Sequence, residues 1–133
     1  NGVYIMTIYL CGGINALSDS QASDWRELAK SHLPEFTILD PMRRDYRGVE
    51  SSNVAEIIRG DIADIDASDA LIVNASRPSW GTAMEVFYAF NAGKVVISFG
   101  AGDKPSPWLV GHSSILCPDI ETAIIELKKG KKR

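Results

Sequence analysis

The sequence predicts an α/β fold, in which a doubly wound parallel sheet of five strands lies between two layers of helices, a three-layer α/β/α arrangement. Short apolar runs of strand length alternate along the chain with longer segments of helical periodicity, the order typical of parallel α/β proteins. The strand-like runs are apolar throughout, which indicates strands that are covered on both faces. A chain of 133 residues suits one domain with a single core, and we expect residues 1–133 to form it.

The first predicted strand ends at a pair of glycines. Residues Thr7–Cys11 (TIYLC) are short and apolar, as expected of a buried strand, and Gly12 and Gly13 follow directly. Because glycine lets backbone approach a ligand closely, we expect both glycines to contact substrate. No third glycine completes a GxGxxG spacing and no GK[ST] triplet is present, so neither a dinucleotide site nor a P-loop is predicted.

The next predicted elements are a helix at Ser20–His32 and a short strand at Phe36–Leu39. Ser20 is the expected N-cap of the helix. The side chains expected to face the core from this helix are Trp25, Leu28 and Ala29.

Asp40 and the loop after it carry candidate substrate contacts. Asp40 lies at the carboxyl end of a strand, where ligands of parallel sheets bind, although capping a turn is an alternative role. The polar loop Met42–Ser52 is long for a compact domain, which is typical of functional loops. Within it, Tyr46 is a candidate for stacking on a base. The loop also holds three cations that suit either a phosphate or a solvated face, namely Arg43, Arg44 and Arg47.

The second half of the chain continues the alternation. The predicted elements, in order, are a helix at Asn53–Ala67, a strand at Ala70–Asn74, a loop at Ala75–Gly81, a helix at Thr82–Ala92, strands at Val95–Phe99 and Ser114–Cys117, and a helix at Ile120–Lys128. Gly93 is expected to end its helix as the C′ residue, and the structure of Trp108–Ser113 stays open. This order is that of flavodoxin-like and Rossmann-like domains.

A carboxylate interrupts the apolar face of the predicted Asn53–Ala67 helix. Asp61 falls near the middle of that face, whereas Asp64 and Asp66 fall toward its flanks, where water can reach them. A carboxylate aimed at the core must find a partner, shift its pKa or line a cavity. The apolar residues that define the face are Val54, Ile57, Ile58, Ile62 and Ile65.

Glu85 is the single charged residue of the predicted Thr82–Ala92 helix, which is apolar almost all round and is therefore expected to be buried. In the first turn after Gly81, the helix dipole favours the ionised form that a nucleophile needs. Each carboxylate taken alone is equally consistent with a capping or backbone-bonding role. Asp61 and Glu85 together, flanking one strand and the loop Ala75–Gly81, favour a ligand site.

Composition limits the remaining function classes. A net charge of −3 gives no support for binding nucleic acid. There is no apolar run of 18 residues and no signal-peptide pattern, so we expect a cytoplasmic protein without a membrane partner. Cys11 and Cys117 have no metal-like spacing and fit buried small hydrophobes. His112 is interpreted as a structural histidine.

Five segments together resemble the nucleoside 2-deoxyribosyltransferase family, which includes deoxynucleoside 5′-monophosphate N-glycosidases. The resemblance covers nearly the whole chain, and its specific parts are the GTAME block and the aspartate upstream of it. The segments are IYLCGG, DPMRRDYRG, GDIADIDASDALIVN, GTAMEVFYAFNAGK and KPSPWL.

The resemblance implies roles for individual residues. Glu85 matches the family's nucleophile, which attacks the sugar C1′ to form a covalent glycosyl-enzyme, and Asp61 matches the aspartate that helps to protonate the departing base. Tyr9 matches a tyrosine that orients the nucleophile. Ser106 matches a residue that a neighbouring subunit supplies to the sugar 5′ end, which implies a homodimer or higher homo-oligomer with shared active sites. No metal or organic cofactor is implied.

The resemblance leaves the substrate's 5′ group open. Ser79 stands where nucleoside-using transferases often have an aspartate, and Ser79 with Ser106 favours a nucleotide. Gly13 and Asn15, however, depart from the nucleotide-cleaving branch. Our first hypothesis is therefore a nucleoside 2-deoxyribosyltransferase that passes deoxyribose to a free nucleobase. The alternatives are a 5′-monophosphate N-glycosidase and a non-enzymatic nucleotide-binding domain.

Overall fold

A computed structural model describes residues 4–131 of the chain, so residues 1–3 and 132–133 of the predicted domain lie outside the described residues. The strands are β1 Thr7–Cys11, β2 Thr37–Leu39, β3 Ala70–Asn74, β4 Val95–Phe99 and β5 Ile115–Cys117. The α-helices are α1 Asp19–His32, α2 Val54–Asp66, α3 Trp80–Asn91, α4 Pro107–Gly111 and α5 Ile120–Lys131. Two 3₁₀ turns, Pro41–Arg43 and Glu50–Ser52, occupy the predicted polar loop.

The five strands form one parallel sheet in the order β2-β1-β3-β4-β5. The predicted fold class is therefore confirmed. After β1 the chain moves outward to β2 and then returns to place β3 on the other side of β1. Strand order thus reverses between β1 and β3, and in such sheets the crevice at the carboxyl ends of these two strands binds ligands.

Each face of the sheet has its own apolar cluster. Ile8 and Leu10 of β1 belong to the cluster under α1 and α5, whereas Tyr9 and Cys11 belong to the cluster under α2 and α3. This division follows from the alternation of side chains along a strand. It points both Tyr9 and Cys11 at the helix that carries Glu85.

Helix α1 differs from its prediction in two respects. Its N-cap is Ser18, whose side chain accepts from the Gln21 N–H at 3.2 Å while the Gln21 side chain accepts from the Ser18 N–H at 3.1 Å, so the predicted Ser20 cap is wrong. Leu28 is exposed, and the fully buried side chain on the inner face is Arg26 instead. Its guanidinium donates to the carbonyls of Leu10 at 2.8 Å and Gly12 at 3.0 Å, which removes the cost of burying it.

Helix α3 begins two residues earlier than predicted, because Ser79 is its N-cap and accepts from the Thr82 N–H at 3.3 Å. It is buried on one side only, through Val86 and Ala89. Among its outer side chains, Met84 is 66% exposed, so the expectation of a wholly buried helix is wrong for a single chain. The sheet covers one flank of the helix, and no further layer formed by residues 4–131 covers the other.

Two smaller expectations are resolved. Residues 107–111 form a short helix with Ser106 as its N-cap. Gly93 has a φ of 82° after α3, as expected of a C′ glycine. Within residues 4–131, no helix is both long and apolar enough to cross a membrane.

Candidate active site

A cavity of about 530 Å³ opens where β1 ends and α3 begins. Eight of the ten predicted site residues line it, which brings together side chains from β1, α2, α3 and the loops between them. These eight are Tyr9, Gly12, Gly13, Tyr46, Asp61, Ser79, Gly81 and Glu85. The two that do not line it are Asp40 and Ser106.

Two donors on β1 hold the Glu85 carboxyl group. The Tyr9 hydroxyl donates to Oε2 at 3.1 Å, and the Cys11 thiol donates to Oε1 at 3.2 Å. Tyr9 and Cys11 are completely buried. Glu85 was predicted to lie in the first turn of its helix. Because α3 begins at Trp80, Glu85 lies in the second turn instead.

The environment of Glu85 favours a proton on its carboxyl group. Burial, the charge of Asp61 and a hydrogen bond with Asp61 raise the pKa of Glu85 to about 8, against the smaller opposing effect of the Cys11 and Tyr9 donors. Burial and the nearby Glu85 also raise the pKa of Tyr9, so its hydroxyl stays a donor. This direction is opposite to the predicted effect of the helix dipole, because burial and a like charge favour the protonated form of Glu85.

Asp61 is tied to the loop over the cavity. The Arg44 guanidinium lies 3.4 Å from Asp61 and 2.7 Å from Asp64, and Arg43 reaches Asp64 at 2.8 Å. A Cβ on Gly60 would lie 2.9 Å from Arg44 Nε, so glycine leaves the guanidinium its place against α2. These pairs fasten the 3₁₀ turn Pro41–Arg43 to the helix that carries Asp61.

The apolar face of α2 differs from its prediction. Asp64, expected near water, is buried; burial raises its pKa, but hydrogen bonds from Arg43 and Arg44 prevail and hold that pKa below the ordinary value. Ile65 is fully buried, whereas Val54 and Ile58 at the other end of the predicted face are exposed. The helix is rotated so that its two inner aspartates meet the loop.

Tyr46 and the arginine cluster take separate places. Tyr46 lines the cavity and donates to Glu56 at 3.3 Å. Arg47 turns away, donating to Asp19 at 2.7 Å and to Asp45 at 2.7 Å. Of the three loop arginines, Arg44 alone lines the cavity, and it is paired.

Asp40 has a structural role, and the structure does not bring it to the cavity where a substrate contact was predicted. It is buried, with ion pairs to Arg26 at 3.0 Å and Lys30 at 2.7 Å, and it accepts from the Met42 N–H at 2.9 Å. Its alternative role as a turn cap is the one observed, at the start of the Pro41–Arg43 turn. Gly12 also has a packing role, because a Cβ there would lie 2.7 Å from the Trp25 ring.

Ser106 lies in a second cavity of about 710 Å³ beside the first. It caps α4 by accepting from the Trp108 N–H at 3.2 Å. His112 lines the same cavity, with Nδ1 2.7 Å from the Trp108 carbonyl and its ring stacked on the Trp108 ring. Within its own chain, Ser106 does not join the cavity that holds Glu85.

The comparison with known families decides the relationship. The model of the family described as nucleoside 2-deoxyribosyltransferase matches residues 8–115. The chain belongs to the nucleoside 2-deoxyribosyltransferase family. Enzymes of this family act on nucleosides or nucleotides through glycosyl transfer or N-glycosidic cleavage.

Solved structures share the fold of this deoxyribosyltransferase-family chain at low identity. A conserved protein from Enterococcus faecalis V583 has a TM-score of 0.76 and 16% identity, covering 95% of this chain and 99% of its own. A 2-deoxyribosyltransferase from Bacillus psychrosaccharolyticus has a TM-score of 0.72 and 18% identity, covering 89% and 90%. A CMP N-glycosidase from Clostridium botulinum has a TM-score of 0.61 and 17% identity, covering 92% and 98%. No curated protein sequence matches the chain.

Sequence reasoning missed one corner of this deoxyribosyltransferase-family site, at the N-terminus of α3. Thr82 is buried, and its Oγ1 has no hydrogen-bond partner among the described residues. Arg77 is exposed, lines both cavities, and has no ion-pair partner within residues 4–131. An unpaired cation, an unpaired hydroxyl and a helix N-terminus together suit an anion. The free arginine in the Ala75–Gly81 loop was the available signal.

The contact between Cys11 and Glu85 was also not predicted, because a cysteine within an apolar strand is read as one more core residue. Because residues two apart on a strand point to the same face, Cys11 could have been expected on the same side of the sheet as Tyr9. In the described part of the chain, no group of three His, Cys, Asp or Glu side chains is placed to hold a metal ion.

Proposed function

We propose that the protein is a nucleoside 2-deoxyribosyltransferase, which cleaves the N-glycosidic bond of a 2′-deoxynucleoside through a covalent glycosyl-Glu85 intermediate. The observation that carries this proposal is the carboxyl pair of Glu85 and Asp61 at one cavity, with Tyr9 bonded to Glu85. Two carboxyl groups with one shared proton suit breaking a glycosidic bond, since one captures C1′ while the other protonates the leaving group.

The first half-reaction uses the proton that the pair holds. As the C1′–N bond breaks, its electron pair goes to the base, and Asp61 delivers the shared proton to the base. Glu85 Oε2 donates a lone pair to C1′ and becomes a glycosyl ester. The raised pKa of Glu85 supports this assignment of a proton to the pair.

The second half-reaction returns the site to its starting state. An acceptor base attacks C1′ with a ring-nitrogen lone pair and gives its proton to Asp61, while the C1′–O bond breaks and its electrons return to Glu85. If water attacks instead, the outcome is hydrolysis. The loop clamped by Arg44 carries Tyr46 over the cavity, where its ring supports stacking on a base and exclusion of water.

Mass spectrometry of the protein mixed with a deoxynucleoside tests this function directly. A deoxyribosyl adduct on the peptide that contains Glu85 is the expected result. Formation of a new nucleoside when a different free base is added distinguishes transfer from hydrolysis. Base release at the same rate with and without acceptor, and no new nucleoside, would reject transfer. Binding with neither adduct nor turnover would favour the non-enzymatic alternative.

A deoxynucleoside 5′-monophosphate N-glycosidase is the second candidate, and the corner formed by Arg77, Thr82 and the α3 N-terminus favours it. A 5′-phosphate would take the unpaired guanidinium and the free N–H groups at the start of α3 as partners, beside the buried Thr82 hydroxyl. Comparing kcat/KM for deoxycytidine and its 5′-monophosphate decides between the two. Arg77→Ala should lower only the value for the monophosphate, and Arg59→Ala, an exposed arginine on α2, is the matched control.

We also propose that two copies share their active sites. Ser106 lies outside its own Glu85 cavity, and the surface around it exposes large apolar side chains that a partner copy would cover. The exposed side chains include Phe87, Phe90 and Trp108. Mixing Glu85→Gln with Ser106→Ala protein should restore activity, because a mixed pair contains one intact site. Activity no higher than the sum of the separate variants would contradict sharing.

A further inference from the structure

We propose that Cys11 is a positioning residue that holds Oε1 of Glu85 so that Oε2 faces the sugar. This inference rests on the proposed function of Glu85 as the nucleophile. It concerns a side chain that neither the fold nor the two-carboxylate chemistry requires to be a thiol.

The geometry separates the two carboxyl oxygens. Both donors are buried, but Tyr9, which donates to Oε2 at 3.1 Å, lines the cavity, whereas Cys11, which donates to Oε1 at 3.2 Å, does not. The oxygen bonded to Cys11 is therefore the inner one. A carboxyl group held at both oxygens by donors two residues apart on one strand cannot turn about its last bond without losing a hydrogen bond.

The chemistry of a thiol suits the inner oxygen. In the attack, Oε2 forms the bond to C1′ and Oε1 becomes the carbonyl oxygen of the ester, so the Cys11 hydrogen bond is kept through the step. A thiol is a weak donor. It therefore orients the carboxylate without stabilising its charge strongly, which leaves Oε2 nucleophilic.

The thiol stays protonated in its surroundings. Burial, and then the charge of Glu85, hold the pKa of the Cys11 thiol well above its ordinary value. The charged and titratable groups that face the Glu85 carboxyl are Tyr9 and Cys11 from β1 and Asp61 from α2, with Arg44 beyond Asp61 and Arg26 acting on Cys11 from α1. The two arginines and Asp61 are unchanged by a substitution at Cys11.

The test compares Cys11→Ala and Cys11→Ser with Cys117→Ala, which removes the other buried thiol from β5. Cys11→Ala should lower kcat about three- to tenfold, the value of one hydrogen bond, with KM nearly unchanged. It should also move the falling limb of the kcat–pH profile to higher pH, because that hydrogen bond opposes protonation of Glu85. Cys11→Ser should keep both properties near those of the unchanged protein.

Thermal unfolding of all three variants separates positioning from packing. If Cys11→Ala and Cys117→Ala lower kcat equally, or if Cys11→Ser fails as Cys11→Ala does without loss of Tm, Cys11 has no positioning role. If the unsubstituted protein releases no base from any deoxynucleoside or its 5′-monophosphate, the proposed function itself has failed. An active protein that is indifferent to Cys11→Ala overturns the present inference alone.

Discussion

Helices α1 and α5 cover one face of the sheet and α2, α3 and α4 cover the other, and the two layers differ in how completely their groups are satisfied. Under α1 and α5 the buried guanidinium of Arg26 donates to three carbonyls and to Asp40. Under α2 and α3 the buried hydroxyl of Thr82 has no partner among the residues that the structure describes, and the carboxyl group of Glu85 lies beside a second carboxyl. The first layer therefore stabilises the fold, while the second contains the groups whose burial lowers stability and that form the candidate site.

The outward faces differ in the same sense. Large apolar side chains of the α2–α4 layer are exposed, with Trp80 85% and Trp108 72% accessible to solvent. The exposed large apolar side chains of the described parts of α1 and α5 are Leu28 and Ile125. An apolar surface of this kind on one layer is consistent with the proposal that a second copy covers that side.

The largest expected effect is the loss of activity in Glu85→Gln. The amide keeps the shape of the side chain but has no carboxylate to attack C1′, so kcat should fall by about a thousandfold or more. Steady-state base release measures it. Glu121→Gln on α5 is the matched control and should be fully active. Residual activity within about tenfold of the unchanged protein would remove Glu85 from the nucleophile's role.

The next effect breaks the stabilising layer. Arg26→Ala leaves the carbonyls of Leu10 and Gly12 without their donors, so the free energy of unfolding should fall by about 2–4 kcal/mol. Urea denaturation measures the change, with Arg59→Ala as the exposed control. An equal, small loss in both variants would mean that the buried guanidinium does not hold this layer together.

The raised pKa of Glu85 makes the stability of the protein depend on pH. Between its ordinary value of 4.5 and its raised pKa of about 8, native Glu85 keeps a proton that the unfolded chain has lost. Stability should therefore fall as pH rises through this range, and Glu85→Gln should gain about 1–2 kcal/mol at pH 8 relative to the unchanged protein. Parallel unfolding curves at pH 5 and pH 8 test it, and a gain that is the same at both would contradict the raised pKa. Activity should also decline above about pH 8, as the shared proton is lost.

The sequence predicted the frame of the site better than its interior. The apolar runs predicted all five strands of the sheet. Asp61 and Glu85 predicted the position of the cavity, because a charged residue within an apolar helical pattern can be recognised from sequence alone. The predicted substrate contact of Asp40 missed its partner, because no expectation was formed for Arg26, the buried cation with which Asp40 forms an ion pair. Such pairing depends on how a helix is rotated against the sheet, which the spacing of residues does not record.

Exposure of α3 was misjudged for a related reason. An apolar helix indicates that something covers it, but the pattern does not distinguish the chain's own sheet from a second copy. A similar limit applies to Arg77 and Thr82, because the sequence does not show whether a guanidinium or a hydroxyl near the start of a helix finds a partner in the folded chain.

The smallest expected effect on stability comes from substitutions on the outer faces of α3 and α5. Met84 on α3 is 66% exposed and Ile125 on α5 is 56% exposed, so replacing either with serine should change the unfolding free energy of a single chain by about 0.5 kcal/mol or less. The proposed shared-site assembly makes the two differ in another measurement. Met84→Ser should shift sedimentation equilibrium toward monomer, because it places a hydroxyl in an apolar interface, and Ile125→Ser should not. If both variants sediment as the unchanged protein does, then the apolar surface of α3 is not where copies meet, and the source of a Ser106 contact must be sought on another face.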